Sequence, residues 1–137
     1  MVEQAEEMVN RLLDATNAHD IDALVGCFAE DYVNETPAHP ARSFRGRAQV
    51  RRNWEQIFGF VPDLRATISR RCLDGATLWT EWEMTGTRRD GTPHRMRGVI
   101  IFGVQDGLAG WTRFYLEAVE ETSGTADDAV RAQVVRS

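Results

Sequence analysis

Three Asp-Gly dipeptides, Asp74-Gly75, Asp90-Gly91 and Asp106-Gly107, punctuate the second half of this chain. Each lies between two runs rich in β-branched and aromatic residues. That combination is the strongest short-range hairpin signal a sequence carries, because Gly and Asp tolerate the positive φ that tight hairpins demand. The stretch from Leu64 to Glu120 therefore reads as a four-strand antiparallel meander. Helical segments precede it and would lie over it.

Residues directly opposite one another across two strands share a face. With two-residue turns at all three dipeptides, Glu83 pairs with Gly98, Glu81 with Ile100, and Trp79 with Phe102. One face then carries Ala66, Ile68, Trp79, Glu81, Glu83, Met96, Ile100 and Phe102. The other carries Arg65, Leu78, Trp82, Met84, Arg95, Arg97, Val99 and Ile101. The first is the more apolar, so it is expected to lie under the helices with two carboxylates pointing in. An unpaired buried charge is expensive and must pair, shift its pKa or meet water, which is a recurrent setting for acid–base chemistry. A one-residue slip gives the opposite result, with Glu81 and Glu83 in surface ion pairs with arginines.

The rest of the chain fits one domain over residues 1–120, followed by a polar tail over 121–137. Periodicity predicts a helix from Val2 to Ala18 and a short one from Ile21 to Phe28 capped by Asp20. A strand from Tyr32 to Glu35, a Pro-flanked loop and a helix from Arg47 to about Phe60 follow. Asp127 to Val135 is either a last helix capped by Thr125 or disordered. Helices followed by a curved antiparallel sheet make an α+β architecture. The net charge of −5 and the lack of a basic stripe argue against a nucleic-acid partner. No run is long enough to span a membrane. The N-terminal stretch is acidic and amphipathic, not basic then apolar, so the expected compartment is cytoplasmic. Cys27 and Cys72 have no metal-ligand spacing, and no metal site is expected.

Three segments carry a resemblance. AHDIDALVGCFAEDYV resembles the second-helix signature of the NTF2-like superfamily. EWEMTGTRRDG and GWTRFYLE resemble strand signatures of its SnoaL-like polyketide cyclase branch. The resemblance implies an NTF2-like cone, in which a curved sheet wraps the N-terminal helices around a deep apolar pocket. It implies cofactor-independent acid–base catalysis, as in polyketide cyclases, ketosteroid isomerases and limonene-epoxide-hydrolase-like enzymes, and homodimers formed through the convex sheet face. In the epoxide hydrolases an Asp–Arg–Asp relay activates water, helped by a Tyr and an Asn. Aligned without gaps, Glu83 falls on the first Asp, Glu81 on the Arg, and Phe114 on the second Asp; shifted by one, Arg113 does. That relay is not intact here, which leaves a non-catalytic ligand-binding or protein-interaction module as the alternative.

The catalytic candidates are accordingly Glu83, Glu81 and Glu35. The expected substrate contacts are Tyr32, Asn34, Trp54, Phe60, Trp79, His94, Met96, Phe102, Arg113 and Phe114. For the last two residues the turn and the alignment disagree. A two-residue Asp106-Gly107 turn puts Arg113 inside, opposite Ile100, and the alignment puts Phe114 there. The convex face would expose Leu78, Trp82, Met84, Val99 and Ile101, an apolar patch suited to a dimer.

Overall fold

The computed structural model describes residues 2–135; residue 1 and the last two residues of the tail, 136–137, lie outside the described residues. The chain runs α1 (Val2–Ala18), α2 (Ile21–Val25), β1 (Phe28–Glu35), a 3₁₀ turn (Pro40–Arg42), β2 (Phe44–Arg45), α3 (Arg47–Phe60), β3 (Arg65–Asp74), β4 (Thr77–Thr87), β5 (Pro93–Gln105), β6 (Leu108–Ala118) and α4 (Ala126–Val134). The strands form one sheet in the order β2-β1-β6-β5-β4-β3, antiparallel except where β1 pairs with β6. Among the described residues no helix is long and apolar enough to cross a membrane.

The core lies between the concave face of this sheet and the helices. Met8, Val9, Leu12 and Ala15 of α1 are buried, as are Leu24 and Val25 of α2 and Val50 of α3. They meet Leu78, Trp82, Ile100 and Phe102 from the sheet. Asp20 caps α2 by accepting from the Ala23 amide at 3.1 Å. That helix stops at Val25, earlier than its apolar period predicts, because Phe28 opens β1. Asn17, at the end of α1, grips the outer strand β3. Its amide donates to Ala66 O at 3.0 Å, and its oxygen accepts from Ala66 N at 2.7 Å.

The turns decide which face each strand presents, and two of the three depart from expectation, one in length and one in position. Asp106 and Gly107 both have positive φ and form the predicted two-residue turn, with Gln105 opposite Leu108. At Asp90-Gly91 the connection is a five-residue loop, Arg88 to Thr92, between the paired Thr87 and Pro93. Asp90 holds it by accepting from Thr92 N at 3.0 Å and Thr92 Oγ1 at 2.7 Å. An odd loop in place of an even one moves the β4–β5 register by one residue. Glu83 therefore sits opposite Arg97, Glu81 opposite Val99 and Trp79 opposite Ile101. On the other side the turn is Gly75-Ala76, and a bulge between Ile68 and Arg70 brings Ala66 opposite Met84.

The expected face of β4 is thereby reversed. Leu78, Thr80, Trp82 and Met84 are buried, and Trp79 and Glu81 are exposed. The polar needs of the inner face are met without a charge. Thr80 Oγ1 donates to Ile100 O at 2.6 Å, and the Trp82 indole N–H donates to Thr80 Oγ1 at 2.6 Å. Ala66, Met96, Ile100 and Phe102 do lie on the concave side, so the parity expected for β3 and β5 holds in the structure.

Candidate functional site

A cavity of about 330 Å³ opens between the concave sheet face and α3. That is near the lower end for small-molecule sites, which run about 300–1,000 Å³. Its wall is mostly apolar. Phe28 comes from β1, Phe44 from β2, Val50, Trp54 and Ile57 from α3, Met84 from β4, Met96 from β5, and Phe114 and Leu116 from β6. Polar groups enter at few points: Tyr32, Asn34 and Thr36 on the β1 side, Asn53 from α3, His94 from β5, and Arg42 from the 3₁₀ turn.

Alternation along β1 puts Tyr32 and Asn34 on the same face. Two backbone contacts fix this strand: Gly46 N donates to Tyr32 O at 2.7 Å, and Arg47 Nε donates to Phe28 O at 2.6 Å. Gly46 takes φ +89°, a conformation glycine tolerates best. Tyr32 packs edge-on against Phe28 and Phe44. Its hydroxyl meets Thr112 Oγ1 in a short hydrogen bond. The Asn34 amide donates to Tyr32 Oη at 3.1 Å and to Thr112 Oγ1 at 3.3 Å. Thr36 Oγ1 donates to Asn34 Oδ1 at 3.1 Å.

Tyr32 and Thr112 each own one hydroxyl hydrogen, and only one is spent on their mutual bond. Thr112 is fully buried and does not line the cavity, so an unspent hydrogen on it would be stranded. The satisfied arrangement has Thr112 donating to Tyr32 and Tyr32 donating into the cavity. Burial pushes the Tyr32 pKa up to about 12, against the opposing pull of the Thr112 and Asn34 hydrogen bonds. Tyr32 is therefore a donor at neutral pH and not a base.

His94 lines the same cavity from β5. Its Nδ1 is buried with no hydrogen-bond partner. Burial, and then the nearby Arg88 charge, hold its pKa below the ordinary histidine value, so the ring is neutral at pH 7.

Of the expected contacts, Tyr32, Asn34, Trp54, His94, Met96 and Phe114 are brought together at this cavity. The others are not. Glu81 and Glu83 lie on the convex face, where Glu81 accepts from Ser69 Oγ at 3.0 Å and Glu83 pairs with Arg97. Glu35 is also exposed, 3.7 Å from Arg113. Trp79 is 48% exposed on the convex side and Phe60 63% exposed at the end of α3. Phe102 is buried in the core and does not border the cavity. Arg113 points outward because the β5–β6 register shifts between Gly103 and Val104, which puts Phe114 opposite Ile100. Among the described residues no carboxylate lines the cavity. Sequence reasoning missed Thr112, Arg42, Asn53 and Phe44. The first had no local signal, since its partner Tyr32 is 80 residues away.

The chain is similar in structure to a Mycobacterium tuberculosis LEH-like epoxide hydrolase, at 23% identity and a TM-score of 0.72, over 84% of each chain. It is similar to RV0760c of M. tuberculosis, solved with estradiol-17β-hemisuccinate, at 18% identity and a TM-score of 0.71, over 82% of this chain and 92% of the other. A computationally designed 17-OHP binder matches at 20% identity and a TM-score of 0.70, over 82% of this chain and 92% of that one. At these identities the likeness establishes the fold. No curated protein matches the sequence. A family model described as the SnoaL-like domain matches residues 9–112. With that match over most of its length, and the curved sheet and concave cavity in place, the chain belongs to the SnoaL-like family of NTF2-like proteins.

Proposed function

We propose that this chain binds an apolar small molecule bearing an acceptor oxygen in the concave cavity, with that oxygen at the Tyr32 hydroxyl. The observation that carries the reading is the Tyr32 hydroxyl at an apolar wall, held by Asn34 and Thr112 in a cluster whose hydroxyl hydrogens outnumber the one their mutual bond uses. A donor fixed in such a wall rewards a ligand that supplies an acceptor. The ligands of RV0760c and of the designed binder support a molecule of this class. A thermal-shift screen of apolar ketones and alcohols, with product analysis, tests it. The best ligand is expected to be recovered unchanged and to bind Tyr32→Phe about tenfold more weakly, the loss typical of one buried hydrogen bond. Equal affinity in that variant removes Tyr32 from the site.

A second reading is catalytic and rests on His94. A neutral imidazole and a hydroxyl donor border one cavity. Tyr32 would polarise a ligand carbonyl while the His94 imidazole takes a proton from the adjacent carbon and returns it elsewhere, without cofactor. Incorporation of deuterium from D₂O at that carbon, lost in His94→Gln, is its signature; unlabelled ligand after long incubation excludes it. Two further expectations belong with these readings: a cytoplasmic setting, consistent with two unpaired thiols, and a homodimer through the convex face.

A further inference from the structure

The chain has a net charge of −5 and 21 acidic residues. The cavity reverses that sign, since among the described residues the only full charge in its lining is that of Arg42, with His94 neutral and no Asp or Glu. Two of the carboxylates that flank lining residues along the chain are committed elsewhere, and Asp31 and Glu55 are exposed and do not line the cavity. Glu117, next to Leu116, pairs with His39 Nε2 at 3.0 Å, and Glu35, next to Asn34, faces Arg113 at 3.7 Å. On β5, the Arg88 charge reaches His94, although Asp90 shares it. Arg42 ends the 3₁₀ turn with an exposed side chain that makes no hydrogen bond or ion pair among the described residues.

A guanidinium beside an apolar wall, with no counter-charge, attracts an anion and repels a cation. The low dielectric of the wall strengthens the effect relative to open water, and charge-assisted hydrogen bonds exceed neutral ones. We infer that the cavity selects apolar ligands that carry an anionic group, a carboxylate or its charge equivalent, with Arg42 as the counter-ion at the mouth. This rests on the binding reading above and adds to it the charge class of the ligand. The molecule would place its neutral oxygen at Tyr32 and its acidic end at Arg42.

The test uses two fluorescent probes with one aromatic skeleton: 8-anilinonaphthalene-1-sulfonate, which is anionic, and N-phenyl-1-naphthylamine, which is neutral. Each is titrated into the full chain, and mutual competition reports a shared site. Arg42→Ala and Arg42→Gln are expected to weaken the sulfonate about three- to fivefold, within the range of exposed ion pairs, and to change the neutral probe less than twofold. Arg45→Ala, an exposed arginine outside the cavity, serves as the control and should leave both unchanged. The inference is overturned if the sulfonate loses nothing in the Arg42 variants, or if both probes weaken together. Failure of both probes to bind wild-type protein overturns the binding reading as well. Neutral-probe binding with no Arg42 effect on the sulfonate overturns the charge selection alone.

Discussion

Glu83 stands beside Arg97 in water, and the cost of the alternative explains why. Moving a carboxylate under the helices without a partner costs several kcal/mol, whereas an exposed ion pair contributes about 0–1 kcal/mol. The inner face of β4 needs only Thr80 and Trp82 to satisfy its polar atoms. Glu81→Gln and Glu83→Gln are therefore expected to change unfolding free energy by less than about 0.5 kcal/mol each and to leave ligand affinity intact. Urea denaturation and probe titration check both statements. A large loss of affinity in either variant would mean that the convex carboxylates act on the site after all.

Among the elements, the four meander strands and the second half of β1 were legible, and so was α3, whose bounds agree with its apolar stripe, whereas β2 fell within the stretch read as a loop. Register was not legible. The Asp90-Gly91 dipeptide marked a turn correctly, but Asp90 folds back on Thr92 and recruits Arg88 into the loop, and three uncounted residues, an odd number, inverted a whole strand. A better guide was inside β4 itself. Its even positions read Leu, Thr, Trp, Met and its odd positions Trp, Glu, Glu, so the charge-free set belonged inward. Tyr32 and Asn34 were legible as polar residues near the second helix, but Thr112 becomes visible only once β1 lies beside β6. Sheet curvature has its own marker in β5. Gly98 has φ +153°, and a Cβ there would lie 2.0 Å from Tyr115 O on the next strand. Since that neighbour is backbone, Gly98→Ala is expected to destabilise the fold by about 2–4 kcal/mol, read as a fall in the urea midpoint.

For the whole molecule, the reversal of β4 changes what the outer surface offers. Leu78, Trp82 and Met84 are withdrawn into the core, and Trp79, Trp111 and Tyr115 take their place around a shallow depression with Val33 and Ile101. The Trp111 indole lies where a Cβ on Gly103 would be, so this surface is flattened by a missing side chain. A second copy seated there would cover the 48% exposed Trp79 and the 40% exposed Tyr115. Light scattering at micromolar concentration should report a dimer, and Trp79→Glu should shift it to monomer without loss of secondary structure. A monomeric wild-type protein would rule out this use of the surface.

The grip of Asn17 on Ala66 has a consequence at the sheet margin. β3 ends the sheet, and a terminal strand is where a foreign chain can zip on and seed fibrils. At Ala66 both main-chain bonding groups are already occupied by the side chain of a helix that cannot extend the ladder. An intruding strand would have to prise α1 away before it could propagate, so this single asparagine doubles as a guard against aggregation.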